Sequence, residues 1–267
     1  MSDLFAQIEA AWYASDSKQK CQAVDGLIPC YLELCLGHLP EITGRPVPDC
    51  ADIGRPAQPI CVPPESLPFR KAIDREGRAA LLHAIAHIEF NAINLALDAA
   101  WRFKALGILF VRDWIGVAIE ESYHFKLIES RLHDLGHAYG DLPAHAGLWN
   151  LADETAQDVL ARMALVPRLM EARGLDALPP IFRAFQGIGD KPTLRALSVI
   201  ARDEVRHVAL GDLWFRKLCA SENLPVSDTY QSLIVSYDVP RPRPPLNEAA
   251  RSAAGFDTAE LDLLCGR

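Results

Sequence analysis

The chain predicts an all-α fold: a four-helix bundle with a long crossover, preceded by an N-terminal helical appendage and a proline-rich strap. Three observations carry that expectation. Apolar residues recur at helical spacing through long stretches between about 72 and 224. Gly107, the loop 137–146 and the glycines and prolines between 174 and 189 separate those stretches. A glutamate followed 32 residues on by Glu-x-x-His occurs as Glu89 with Glu121 and His124, and recurs at a spacing of 33 as Glu171 with Glu204 and His207.

The elements are justified in chain order. Residues 3–37 show helical spacing in two pieces, Leu4, Ile8, Ala11 and Trp12, then Leu27, Ile28, Tyr31, Leu32 and Cys35. Gly26 and Pro29 mark the break, and residues 1–38 form the appendage. Prolines at 40, 46, 48, 56, 59, 63, 64 and 68 exclude long helices from 39–71 and predict an extended strap. Residues 72–105 and 108–135 read as two long amphipathic helices joined at Gly107, hence an antiparallel hairpin. Glu89 lies 18 residues before Gly107 and Glu121 lies 14 after it. At ~1.5 Å per residue the two carboxylates then sit within about 6 Å along the axis.

Residues 137–146 read as the crossover loop, long enough to span about 33 Å when extended. A third helix is predicted over 147–173, with Pro167 one turn before Glu171 imposing a kink or bulge. Gly174, Pro179, Pro180, Gly187 and Gly189 are expected to break the stretch after Glu171 into short pieces. A fourth helix begins at Lys191-Pro192 and carries Glu204 and His207, closing a bundle domain over 72–224. Residues 225–267, rich in proline and arginine, are expected as a tail with one final short helix, packed on the bundle surface.

The chemistry lies in the repeat. Residues three apart share a helix face, so each Glu-x-x-His can turn both side chains toward one cavity between helices. One glutamate from each of two helices and a Glu-x-x-His from each of the other two is the donor inventory of a carboxylate dimetal centre. Glu89, Glu121, His124, Glu171, Glu204 and His207 are therefore the candidate metal ligands, for two ions of iron or manganese. Glu121 and Glu204 are the expected bridging carboxylates, and His124 and His207 the terminal nitrogen donors. Surface salt bridging is the competing reading of each glutamate, but Glu89 lies in HAIAHIEFNAINLAL, where an uncompensated carboxylate is hard to accommodate.

Other candidates are weaker. Asp134 and His137 repeat the spacing by chance, because Gly136 marks a helix end. Glu120 points about 100 degrees away from Glu121. Glu154 competes with Glu171 for the third helix, and spacing favours Glu171. His38, His83, His87, His133, His137 and His145 lack a glutamate three residues before them and are left out of the ligand set. Asp203 is a candidate acceptor for a ligand histidine. Trp114, Val117, Gly211 and Trp214 share the ligand faces, as core packing or as a substrate-cavity lining.

A net charge of −8 gives no global field for nucleic acid or an anionic membrane. The N-terminus lacks a basic region followed by an apolar one, and Arg112 with Asp113 interrupts the apolar run taken as the best membrane-span candidate, so a soluble cytoplasmic protein is expected. Seven cysteines without metal-type spacing are expected as reduced thiols.

The segments HAIAHIEFNAINLALDAAWRF, EESYHF, YGDLPAHAGLW, RMALVPRLMEARGLD and DEVRHVALGDLWF resemble a bacterial ferritin-like family, domain of unknown function 455. The likeness extends to GRPAQPICVPP before the bundle and PLNEAARSAAGF after it. It implies a ferritin-like bundle with the six residues above at the ligand positions, and no settled reaction. The runs Glu171 to Arg173 and Glu204 to His207 also resemble the tRNA-modifying di-iron monooxygenase of the same superfamily, which hydroxylates a prenylated adenosine. The acidic balance argues against assuming an RNA substrate here. The function expected is O2-dependent oxidation or hydroxylation of a small substrate at a di-iron or manganese/iron centre. The alternatives are iron handling without catalysis and a helical interaction scaffold with a vestigial site.

Overall fold

Helices supply the regular structure of the computed structural model, which describes residues 4–38, 46–67 and 74–266. Pro40 and Pro68 of the predicted strap lie outside the described residues. The chain divides into two compact units, Met1–Trp149 and Asn150–Arg267.

Unit 1 is built on a helical hairpin. Helices α1 (Leu4–Tyr13), α2 (Ser17–Asp25) and α3 (Ile28–Cys35) precede it, and α4 (Arg75–Arg102) and α5 (Ile108–Asp134) form it. Asp74 caps α4 by accepting from the Gly77 N–H. Gly107, at φ +102°, makes the turn into α5 in a backbone region that a side chain would disfavour. The appendage is three helices rather than the expected two, because Asp16 accepts from the Gln19 N–H and starts a new helix at Ser17. These helices pack on the hairpin, with Trp12 edge-on to Trp101 at 6.0 Å.

The strap touches this unit through backbone bonds. Gly54 donates to the Trp12 carbonyl at 2.9 Å, Val62 donates to that of Ala144 at 2.8 Å, and Ala144 donates to that of Ile60 at 3.1 Å. Among the described residues, α4 is the helix long and apolar enough to cross a membrane, not the stretch around Arg112. It is mostly buried inside the protein, so it is a core helix.

Unit 2 departs further from the sequence reading. The predicted helix over 147–173 is two helices, α6 (Gly147–Glu154), within which the unit boundary falls, and α7 (Val159–Leu165). Asp158 caps the second by accepting from the Ala161 N–H at 2.8 Å. After α7 the backbone widens into a π-helical turn, Val166–Glu171, containing Pro167. A proline cannot donate to the preceding turn, and an extra residue absorbs that loss, as the sequence predicted.

Past that turn the expected short pieces are instead one helix, α8 (Ala172–Gly187), with Pro179 and Pro180 inside it. Pro179 has no N–H for the Leu175 carbonyl four residues back, and the Asn247 side chain donates to that oxygen at 3.1 Å. A contact distant in sequence thus replaces the missing local one. Helix α9 (Lys191–Ser221) starts as predicted, with Asp190 accepting from the Thr193 N–H at 3.1 Å.

The region after 225 is more than a surface tail: it forms α10 (Val226–Ser236), α11 (Glu248–Ala253) and α12 (Thr258–Cys265). Tyr230, Arg251 and Glu260 from these helices are fully buried. Arg168 donates to Asp212 and Glu260 and lies 4.0 Å from the centre of the Tyr230 ring.

Candidate metal centre

Helix α4 carries Glu89 into an apolar interior, among Ile85, Ala86, Ala92 and Ile93, where its side chain is 5% exposed. From α5, Glu121 and His124 emerge on one face, as residues three apart must. The hairpin brings the three together. His124 Nδ1 lies 3.3 Å from Glu89 Oε2 and 3.4 Å from Glu121 Oε2. One donor atom from each lies within 4.8 Å of the others, a grouping that could hold a metal ion. The register argument from Gly107 is thus met.

Burial by itself lowers the pKa of the His124 imidazole, but the hydrogen bonds and charges of Glu121 and Glu89 outweigh it and push the pKa up to about 11. The two buried carboxylates therefore favour a cation beside them, which a proton on His124 supplies. Lys20, buried in the same unit, is directed elsewhere: its Nζ donates to the Trp12 carbonyl at 3.1 Å and to Asn94 Oδ1 at 2.7 Å. Burial and the Arg55 charge lower its pKa to about 7.

Unit 2 holds the second set. Glu204 and His207 lie three apart on α9, with His207 Nδ1 3.4 Å from Glu204 Oε1 and side chains 0% and 12% exposed for His207 and Glu204. Glu171 is the last residue of the π-helical turn, which packs against α9, and its Oε2 is shielded from solvent. Pro167 in that turn meets α9 at Gly211: a Cβ there would stand 2.6 Å from the proline ring. A glycine is what lets this turn lie so close.

The competing residues sort by burial and partner. Glu154 is exposed at the end of α6, on a different helix from Glu171. Asp134 is exposed and pairs with Arg131, while His137 stands 3.8 Å from Asp141. His83 Nε2 accepts from the Gly140 N–H at 3.0 Å. His87 bonds the Tyr139 hydroxyl and the His145 carbonyl, each at 3.0 Å. His145 accepts from Gly147, His38 pairs with Glu33, and His133 is exposed. Asp203 bonds Arg202 at 2.7 Å. Trp114 and Val117 are buried, Trp114 against Phe110, and Trp214 lies under Lys217.

The donor chemistry fits a hard or borderline cation. Carboxylate oxygens with an imidazole suit such a cation better than a thiolate-preferring metal, and no cysteine belongs to the grouped donors. What sequence reasoning missed in unit 2 is the arginine network around Arg168. Its only sequence signal was an arginine next to Pro167 in an apolar run.

An uncharacterized protein of Haemophilus influenzae (strain Rd) is 41% identical over 273 residues, covering 98% of this chain and 93% of that one. No solved structure matches the chain. The family model described as "Protein of unknown function (DUF455)" matches residues 13–262, and the chain belongs to that family.

Proposed function

We propose that the protein is a non-haem dimetal carboxylate protein, with iron or manganese held by Glu89, Glu121 and His124 in one unit and by Glu171, Glu204 and His207 in the other. The observation that carries this reading is the buried grouping of Glu89, Glu121 and His124, whose donor atoms lie close enough together to hold a metal ion. The same donor set, in the same order, recurs in both halves of the chain, which is the ligand inventory of a dimetal carboxylate protein.

Such a centre, in its reduced state, supplies the electrons for O2 activation, and oxidation or hydroxylation of a small organic substrate is the reaction we assign. The chain's own residues have narrower tasks. Glu89 and Glu121 balance cation charge in an interior that excludes water. His124 would give up its proton to bind, and Glu171 rides on the π-helical turn that packs against α9. Buried donors retained at these positions count against a vestigial scaffold.

Metal analysis tests this on protein made with iron and manganese available and without a metal-binding tag. About two equivalents per chain are expected. His124→Ala and Glu204→Ala should each lower that content sharply while keeping helical circular dichroism. Full occupancy in both variants, or an empty wild type after anaerobic reconstitution, would overturn the assignment.

A further inference from the structure

Unit 2 also contains a cleft of about 930 Å³ formed by α8 and the segment 240–247. Four arginines line it, Arg173 and Arg183 from the helix and Arg241 and Arg243 from the segment. Asp176, the carboxylate of that lining, is already engaged. Its Oδ2 accepts from Arg251 Nη2 at 2.6 Å, and its Oδ1 accepts from Arg251 Nε at 3.0 Å and from the Asn247 N–H at 2.8 Å. The lining therefore carries a surplus of guanidinium charge in a chain whose net charge is −8. Arg173 uses Nη2 on the Pro240 carbonyl and holds its Nε buried, while Arg183, Arg241 and Arg243 are exposed.

The walls add a second property. Pro179 and Pro180 line the helix side, and Pro240, Pro242 and Pro245 the segment side. Prolines hold the backbone in place before a ligand arrives, so less ordering is required on binding. An adjoining hollow of about 310 Å³ shares Pro179 and Asn247 with the cleft and adds Leu175, Leu178 and Phe182. A guanidinium-rich floor joined to an apolar recess matches an anion with an apolar body. Several guanidiniums exceed the charge of one carboxylate and suit the oxygens of a phosphate.

We propose that this cleft binds a small organic phosphate, its phosphate on Arg183, Arg241 and Arg243 and its apolar portion in the hollow by Leu178 and Phe182. An apolar hollow beside the arginines favours a small molecule with an apolar body over a nucleic-acid backbone, which tracks an extended basic stripe. The inference does not depend on the dimetal reading.

Isothermal titration of the full chain at ~0.15 M salt, near a physiological Debye length of ~8 Å, tests it with inorganic phosphate and octyl phosphate as probes. One octyl phosphate per chain should bind, at least tenfold more tightly than inorganic phosphate. Arg241→Gln with Arg243→Gln should weaken octyl phosphate at least tenfold while metal content stays at the wild-type level. Phe182→Ala should narrow the gap between the probes and leave inorganic phosphate unchanged. Absence of saturable octyl phosphate binding, equal affinity for the two probes, or an unaffected double arginine variant would each overturn the proposal. So would tighter binding of a single-stranded RNA 12-mer than of octyl phosphate, which would assign the arginines to nucleic acid.

Discussion

Two buried charged clusters, one in each unit, show how differently a protein interior can treat ionised groups. In unit 2, Arg168 and Arg216 face Asp212 and Glu260, and each of the four carboxylate oxygens has a guanidinium partner. Tyr230, Phe256 and Phe215 surround Arg168, with ring centres 4.0, 4.4 and 5.2 Å from its guanidinium carbon. That cluster balances its own charge. In unit 1, two buried glutamates face one imidazole, and the donor atoms of all three lie close enough together to hold a metal ion. Burial of charge alone therefore does not mark a metal site; carboxylate and imidazole donors gathered about one point do.

The largest effect is expected where the balanced cluster is broken. Arg168→Met leaves Asp212 and Glu260 buried with less compensation, and urea unfolding should show a loss of about 3–5 kcal/mol. A loss below about 1 kcal/mol would mean that the network contributes little. Gly211→Ala comes next. The new Cβ would press on Pro167, costing about 1–3 kcal/mol by overpacking and displacing the turn that carries Glu171. Metal content should fall with it, and unchanged content would separate Glu171 from binding.

The metal cluster should respond differently. Glu121→Gln removes one carboxylate facing His124, so metal binding should be lost while the metal-free protein loses less stability than in Arg168→Met. A loss as large as that of Arg168→Met would instead make the cluster structural.

Its pH dependence has a definite sign. The His124 pKa is raised from an unfolded value near 6.5 to about 11. Its proton therefore stabilises the metal-free fold fully below about pH 6.5, and that contribution is lost as pH rises through the folded value. A metal ion must displace the same proton, so apparent affinity should rise about tenfold per pH unit between about pH 7 and 9. Competition against a chelator measures this, and a flat profile would take the metal off His124. At the small end, Asp134→Asn changes an exposed pair, and should leave metal content unchanged and stability within about 0.5 kcal/mol.

The metal-candidate residues were legible because helical spacing is local. Glu121 and His124 had to share a face, and Gly107 set the depth at which Glu89 meets them. Pro167 announced the π-helical turn because a proline's missing donor is written in the sequence. Local rules failed where a distant residue supplied what the neighbouring turn lacked. Pro179 and Pro180 read as helix breakers, yet α8 continues through them with Asn247 bonding the Leu175 carbonyl.

By itself, then, the sequence determined the all-α class, the α4–α5 hairpin, the start of α9 and the pairing of each histidine with the glutamate three residues before it. All of these arise from periodicity, caps and turn chemistry within a few residues. Tertiary structure alone decided that Arg168 joins Asp212 and Glu260, that the C-terminal helices enter the interior, and that four arginines from α8 and a proline-rich segment meet at one cleft. Those outcomes depend on charges and carbonyls far apart in the chain finding partners, which no local pattern records.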